Sequence, residues 1–325
     1  PNPYAGFLGL TLPLAVGLAL GALSEWLDTL RRIVRRGDPG FGHAWDGGTS
    51  EQVFISCNIN SYRGGAWEHK TEGWGVYLRA LFNRRLPHLL AYTLLAALLF
   101  TALIMSWSRG AWLGFGAAAL VMLLSWPRRA GIGIILLVAA LVLALVALQA
   151  GFVPASIAAR LTGWLDFTDT VDVIGVDITP ENYAVIERLA HWHSAREMAR
   201  YHFWLGVGFG NYEPTYPGYA LINWPQALGH AHNYYLNLLA EVGIIGLAAY
   251  SALWASVFWI TWRATRAATG PARAAALGLL GIWTHLTVHQ FLDKLYVANL
   301  YLHLGAMLGV LTILYQREKT LDRDN

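Results

Sequence analysis

Cysteine is almost absent from the chain. Cys57 is the single one in 325 residues, so no disulfide can form within the chain and cysteine usage says nothing of its compartment. Charge is scarce too. Asp, Glu, Lys and Arg make up 13% of the residues against 56% hydrophobic ones, and the mean hydropathy is +0.41, which is too apolar for an ordinary soluble domain. Several catalytic signatures are missing: there is no H-E-x-x-H and no G-x-S-x-G, and the one Asp-x-Asp, Asp322 and Asp324, falls at the extreme end. The usual marks of zincin and serine-hydrolase chemistry are therefore lacking. No internal repeat or low-complexity tract stands out.

What the chain has instead is a succession of apolar runs, each near the roughly 17 to 25 residues a membrane helix needs. They lie near 4–23, 88–107, 110–126, 131–150, 235–261, 274–292 and 295–315. This predicts an all-α, polytopic membrane helix bundle of about seven spans, with a large external loop that itself contains helices. Trp26, Trp107, Trp126 and Trp262 stand near run ends, where indole rings suit the headgroup layer.

Charge orients the bundle. The connections at 24–87, 127–130, 262–273 and 316–325 hold 17 of the 23 Lys and Arg, which makes them cytoplasmic by the positive-inside rule. The segment 151–234 then faces outward, with four arginines against eight carboxylates. The formal charge of +3 therefore describes a cytoplasmic rim and gives no argument for nucleic acid as a partner. The expected organisation is a span over 1–23, a cytoplasmic insertion over 24–87, three spans over 88–150, an external loop over 151–234, three spans over 235–315 and a tail over 316–325. The chain starts Pro1-Asn2-Pro3-Tyr4 with neither Met nor a basic signal region, so further spans are expected to precede it.

The insertion is rich in Gly and aromatics and shows no period, which suits a structural role. Arg31 to Arg36 within it are a topology signal, with anionic-lipid contact as the lesser reading. The external loop is more informative. "PENYAVIERLAHWHSAREMARYHF" (180–203) runs without a breaker and predicts a helix of about five turns. At about 100° per residue, Arg188, His191, Trp192, Ala195 and Ala199 share a face. Either this is an amphipathic helix lying at the interface, or it presents a cation, a titratable ring and an indole to a site. "GVGFG" (206–210) lacks the spacing of a dinucleotide fingerprint and reads as a tight turn over the membrane surface.

"HAHNYYLNLLAEVGIIGL" (230–247) sets two histidines against the start of an apolar run. Asn233 can cap that helix. His232 then lies just before an end that carries partial positive charge, which favours neutral imidazole and attracts anions. A neutral His beside an anion can serve as a general base; a water-satisfied interfacial pair is the simpler reading. Arg109, in "MSWSRGAWLGFG", falls between two spans and calls for a protein or aqueous environment with an anionic partner, or else snorkels to the interface. His285, His289, Asp293 and Lys294 surround another external turn, where they either pair structurally or line the same cavity.

Taken together, "NPYAGFLGLTLPLAV", "SWSRGAWLG", "ERLAHWHSAREMARYHFWLGVGFGNY" and "HAHNYYLNLLAEVGIIGL" resemble the O-antigen ligase and O-antigen polymerase superfamily of bacterial envelope enzymes, over nearly the whole chain apart from the insertion. The resemblance implies a metal-independent, inverting glycosyltransferase of the inner membrane that needs no cofactor. Its implied donor is a glycan on undecaprenyl diphosphate at the periplasmic face, and its acceptor a hydroxyl on lipid, glycan or protein. Arg109 and Arg188 match the family's arginines and would hold the diphosphate; His232 matches its histidine and would take the acceptor proton. We expect Arg109, Arg188, His191, Asn233 and Tyr235 to line the substrate site, with capping and packing as equal explanations for Asn233, Tyr234, Tyr235 and Glu241. The motifs do not separate a lipopolysaccharide ligase from a repeat-unit polymerase or a protein oligosaccharyltransferase. Two readings from other classes are a transporter, which would place ionisable groups in mid-span, and a zinc hydrolase using His191, His193, His230 and His232.

Overall fold

The computed structural model describes residues 2–37, 81–162, 173, 175, 177–180 and 182–323. Most of the insertion, and most of the stretch 163–181 of the loop, lie outside the described residues. Among those described, the chain is all-helical: α1 Asn2–Gly37, α2 Leu86–Met105, α3 Arg109–Ser125, α4 Ala130–Gln149, α5 Ala155–Thr162, α6 Tyr183–Tyr201, α7 Tyr212–Thr215, α8 Tyr234–Ala267, α9 Gly270–His289 and α10 Leu300–Arg323. Four of these helices, α1, α2, α4 and α8, are long and apolar enough to cross a membrane.

The centre of the bundle is α9. It is buried from Ala274 to His289 along most of its faces and packs chiefly on α1 and α3. Small residues permit that closeness, as in helices associating within lipid. A Cβ on Gly17 would fall 2.7 Å from the Ala274 carbonyl oxygen, and one on Gly114 would fall 2.9 Å from that of His285. Gly9 and Gly110 likewise leave room for the rings of His285 and His289. By contrast α4 turns Ile135, Leu143 and Val146 outward, the pattern of a helix bathed in lipid.

Local chemistry sets the helix limits. α1 continues past its apolar run to Gly37 because 24–36 holds helix formers with no Gly or Pro. α3 starts where the Ser108 hydroxyl accepts from the Ala111 N–H, at 3.4 Å. α6 starts at Tyr183, slightly inside the expected 180–203. There Asn182 closes the preceding turn, its Oδ1 accepting from the Thr179 N–H at 2.8 Å and its Nδ2 donating to the Asp177 carbonyl at 2.8 Å.

One break inside α8 organises the end of the bundle on which α6 packs. Gly243 has φ of +64°, a left-handed conformation that only glycine adopts at little cost. The freed backbone groups near it bind the loop after α6. The Val207 N–H donates to the Ala240 carbonyl at 2.9 Å, the Gly208 N–H to that of Glu241 at 2.8 Å, and the Ile244 N–H to that of Phe203 at 2.9 Å. The "GVGFG" turn is therefore seated on a kinked helix. A Cβ on Gly243 would lie 2.4 Å from the Trp204 backbone. We expect Gly243→Ala to destabilise the chain by about 1–3 kcal/mol from backbone strain alone, and by more once the clash is added. Gly116→Ala, which meets open space, should be near neutral. Thermal unfolding in detergent checks both.

Candidate active site: a cluster of imidazoles beside an arginine

The site assembles where α6, α8 and the turn after α9 meet. Asn233 makes the start of α8: its Oδ1 accepts from the N–H groups of Tyr235 at 3.0 Å and Leu236 at 3.1 Å, a side-chain N-cap. Just before it, His232 has φ of +52°, uncommon for a residue with a Cβ and a mark of local strain where surrounding contacts dictate the backbone. Those contacts are visible. The His232 N–H donates to His230 Nδ1 at 3.2 Å, the Ala231 N–H to Asn237 Oδ1 at 3.1 Å, and the Tyr234 N–H to the Gln290 carbonyl at 2.9 Å. The last bond ties α8 to the end of α9. Tyr235 reinforces the join, its hydroxyl donating to the Thr287 carbonyl at 2.9 Å.

Three imidazoles gather at this junction. The ring of His232 meets His230 edge-on at 4.4 Å and His191 edge-on at 5.5 Å. His191 is fully buried on α6, stacked on Tyr216 at 4.8 Å, with its Nδ1 hydrogen-bonded to the Tyr212 hydroxyl at 3.1 Å. Asp293 completes the group. Its Oδ1 stands 3.9 Å from His230 Nε2 and 4.0 Å from His232 Nδ1, and accepts from the Lys294 N–H at 2.8 Å.

Burial governs the electrostatics. It pushes His232 down to about 3, helped by His230, Arg188 and His191, and pushes His191 down to about 4, helped by His230. It also lowers His230 and raises Asp293, the latter against the pull of the Lys294 N–H, His230 and Arg188. All three rings are thus neutral near pH 7, and Arg188 is the cation they feel. Both ring nitrogens of His232 and Nε2 of His191 are buried without a hydrogen-bond partner among the described residues. Such atoms are costly unless something is meant to meet them.

Arg188, one turn before His191 on α6, donates through Nη1 to the Ala184 carbonyl at 2.7 Å. Its charge acts on His230, His232 and Asp293. The structure thus brings together Arg188, His191, His230, His232 and Asp293. Arg109 opens α3, where its neighbour Gly110 packs on His289, in the turn that leads to Asp293. Asn233 and Tyr235 build the helix junction. Sequence reasoning named Asp293 without assigning it and passed over Tyr212, whose partner His191 is 21 residues earlier. For Asp293 the available signal was its place in the turn beside His289.

The ligand atoms of His230, His232 and Asp293 all lie within 4.8 Å of one another, close enough to be considered for a metal ion. The tautomer of His230 speaks against it. Because Nδ1 accepts the His232 N–H, the ring proton of a neutral His230 sits on Nε2, 3.9 Å from Asp293, so that nitrogen offers no lone pair.

The class that fold and site define is a helical membrane protein with a polar, cation-bearing site at one end of its bundle. Over residues 94–251 the chain matches the family model for O-antigen ligase, a stretch from α2 into α8 that contains Arg109, Arg188, His191, His230 and His232. That similarity supports assigning the chain to the O-antigen ligase superfamily and, in general terms, reading it as an O-antigen ligase-like membrane enzyme. No curated protein matches it.

Buried neutral histidines give stability a pH dependence with a defined sign. Unfolded, each ring titrates near 6.5; folded, His232 and His191 bind protons only near 3 and 4. The unfolded state therefore takes up protons first, so stability is complete above about pH 6.5 and falls as the pH drops toward 4. Thermal unfolding in detergent should show the melting temperature declining below about pH 6.5, and His232→Asn should flatten the decline. A wild-type melting temperature that does not move between pH 7 and 4.5 contradicts the burial of these rings.

Proposed function

We propose that the chain transfers a glycan from an undecaprenyl-diphosphate carrier to an acceptor hydroxyl on the periplasmic face of the bacterial inner membrane, as an O-antigen ligase. In this reading α3, α9 and α10 join the four long apolar helices as spans, giving seven, and 151–234 is the periplasmic catalytic loop. The observation that carries the reading is His232: a half-buried, neutral imidazole whose ring nitrogens have no hydrogen-bond partner among the described residues, held by its backbone at a helix N-terminus within reach of the charge of Arg188.

The chemistry follows from these groups. A diphosphate leaving group gains charge as its bond to the anomeric carbon breaks, and arginine offers a fork that stays ionised. Arg188, with Arg109 at the start of α3, holds that group. The acceptor hydroxyl oxygen forms the new bond from the opposite face, inverting the centre, and its proton passes to a ring nitrogen of His232. Asp293, beside His232 Nδ1, faces the imidazolium that results. No metal enters the sequence of events.

Burial, then the neighbouring His230, Arg188 and His191, set the low pKa of His232. A diphosphate reverses the sign of the local charge and raises it, so that the base strengthens when the donor arrives. The acid limb of kcat, which reports the complex, should therefore lie at higher pH than that of kcat/KM, which reports the free enzyme. Coincident limbs, or the reverse order, contradict this.

His232→Ala, Arg188→Ala and Arg109→Ala should each cut transfer by about a hundredfold or more while the protein stays membrane-inserted. Normal surface glycan in a His232→Ala strain sinks the assignment. The lipid-linked glycan accumulating after deletion separates ligase from polymerase: long chains are expected for a ligase, single repeats for a polymerase.

A further inference from the structure

At the end of α9 opposite the imidazoles, three arginines converge on one another. Arg128 follows α3, Arg266 lies in the last turn of α8 and Arg273 in the first turn of α9. Arg266 Nη1 donates to the carbonyls of Pro127 at 3.1 Å and Arg128 at 3.2 Å. Arg128 Nη2 donates to that of Ala268 at 2.9 Å. Arg273 reaches the Thr265 carbonyl through Nε at 3.0 Å and that of Trp126 through Nη2. The charge of Arg273 interacts with those of Arg128 and Arg266. Among the described residues none of the three has an ion pair, and the nearby Glu25 is bound to Arg85 at 3.0 Å.

Helix C-termini do attract arginines, and each of these hydrogen bonds is explained that way. The accumulation is not: like charges brought together without a carboxylate repel. Arg266 Nη2 and Arg273 Nη1 also carry no hydrogen bond among the described residues, although the guanidiniums are held in place by their other donors.

Next to the cluster runs a groove of about 520 Å³, lined among others by Val121 of α3, Phe258, Trp259 and Trp262 of α8 and Leu280 of α9. Its volume falls in the range of small-molecule sites, roughly 300–1,000 Å³. Arg266 lies over the ring of Trp262, 4.4 Å from its centroid. A cationic head region and an apolar trough thus share one residue pair. The rise along α9 from Arg273 to His289 is about 24 Å, so this region is nearly a membrane thickness from the imidazoles.

We propose that Arg128, Arg266 and Arg273 bind the phosphate of an anionic phospholipid whose acyl chain lies in the groove between α3, α8 and α9. A lipid with a net negative head satisfies the leftover donors, relieves the repulsion and places its chain where Trp262 opens the trough. Trp126 and Trp262 then sit at headgroup level, as interfacial tryptophans do, and the site holds the inner ends of three helices together. The carrier diphosphate is a poorer occupant, since its reacting end would sit at the wrong face for Arg188 and His232.

The test uses the purified full chain in detergent, exposed in turn to phosphatidylglycerol, phosphatidylcholine and inorganic phosphate, with bound lipid counted by native mass spectrometry and stability followed by melting. Phosphatidylglycerol should be retained about tenfold more strongly than phosphatidylcholine, a free-energy difference of about 1.4 kcal/mol. It should also raise the melting temperature, which inorganic phosphate should not. The double variant R128Q/R266Q should lose the preference. Equal retention of the two lipids by the wild type, a double variant that keeps the preference, or a phosphate-induced rise equal to that of the lipid overturns the proposal. The wild-type comparison stands even if the double variant does not fold. Retention of a polyprenyl diphosphate with no preference for phosphatidylglycerol also overturns it.

Discussion

The break in α8 at Gly243 is the constraint on which the imidazole-bearing end of the molecule depends. A helix that continued unbroken would keep the Ala240 and Glu241 carbonyls for itself. Because Gly243 turns left-handed, those carbonyls accept from Val207 and Gly208 instead, and the Ile244 N–H reaches back to Phe203. Three backbone hydrogen bonds thereby lock the end of α6 onto the first turns of α8. Glu241 extends the lock to α7, its carboxylate accepting from the Tyr212 N–H at 3.3 Å, and Tyr212 in turn grips His191. The spacing between Arg188, His191 and His232 is thus fixed by main-chain contacts made well away from the imidazoles.

A second constraint is electrical. Three imidazoles and a carboxylate share a volume from which water is largely excluded, and charging them there is expensive. The rings respond by staying neutral, while Arg188, partly exposed, keeps its charge. The result is a region with one persistent cation and several nitrogens free to accept or donate. Such a region is poorly suited to holding a cation and well suited to meeting an anion with a separate hydroxyl beside it. The helix end at Asn233 adds its partial positive charge to the same side.

Much of this was legible in the sequence where the signal is local. The cap at Asn233, the face shared by Arg188 and His191, and the apolar runs that became helices all follow from residue type and a period of 3.6. "GVGFG" was readable as a turn from its glycines, but its seat on Ala240 and Glu241 was not, because the partner groups are backbone carbonyls freed by a kink 30-odd residues on. Asp293 escaped assignment for a similar reason. Its neighbours His230 and His232 are some 60 residues earlier, and only the packing of α8 on the end of α9 unites them. The burial of α9 depends on glycines in α1 and α3 whose role appears only when the helices touch.

The central claim is that His232 acts as a base through its ring nitrogens and is not merely a packing element of the junction. Glycan transfer by purified His232→Ala protein, assayed on lipid-linked donor with and without added imidazole, tests it most directly. The account predicts negligible transfer without imidazole and partial recovery with it, since the free base can occupy the vacated space. Transfer at the wild-type rate by His232→Ala in the absence of imidazole would contradict it.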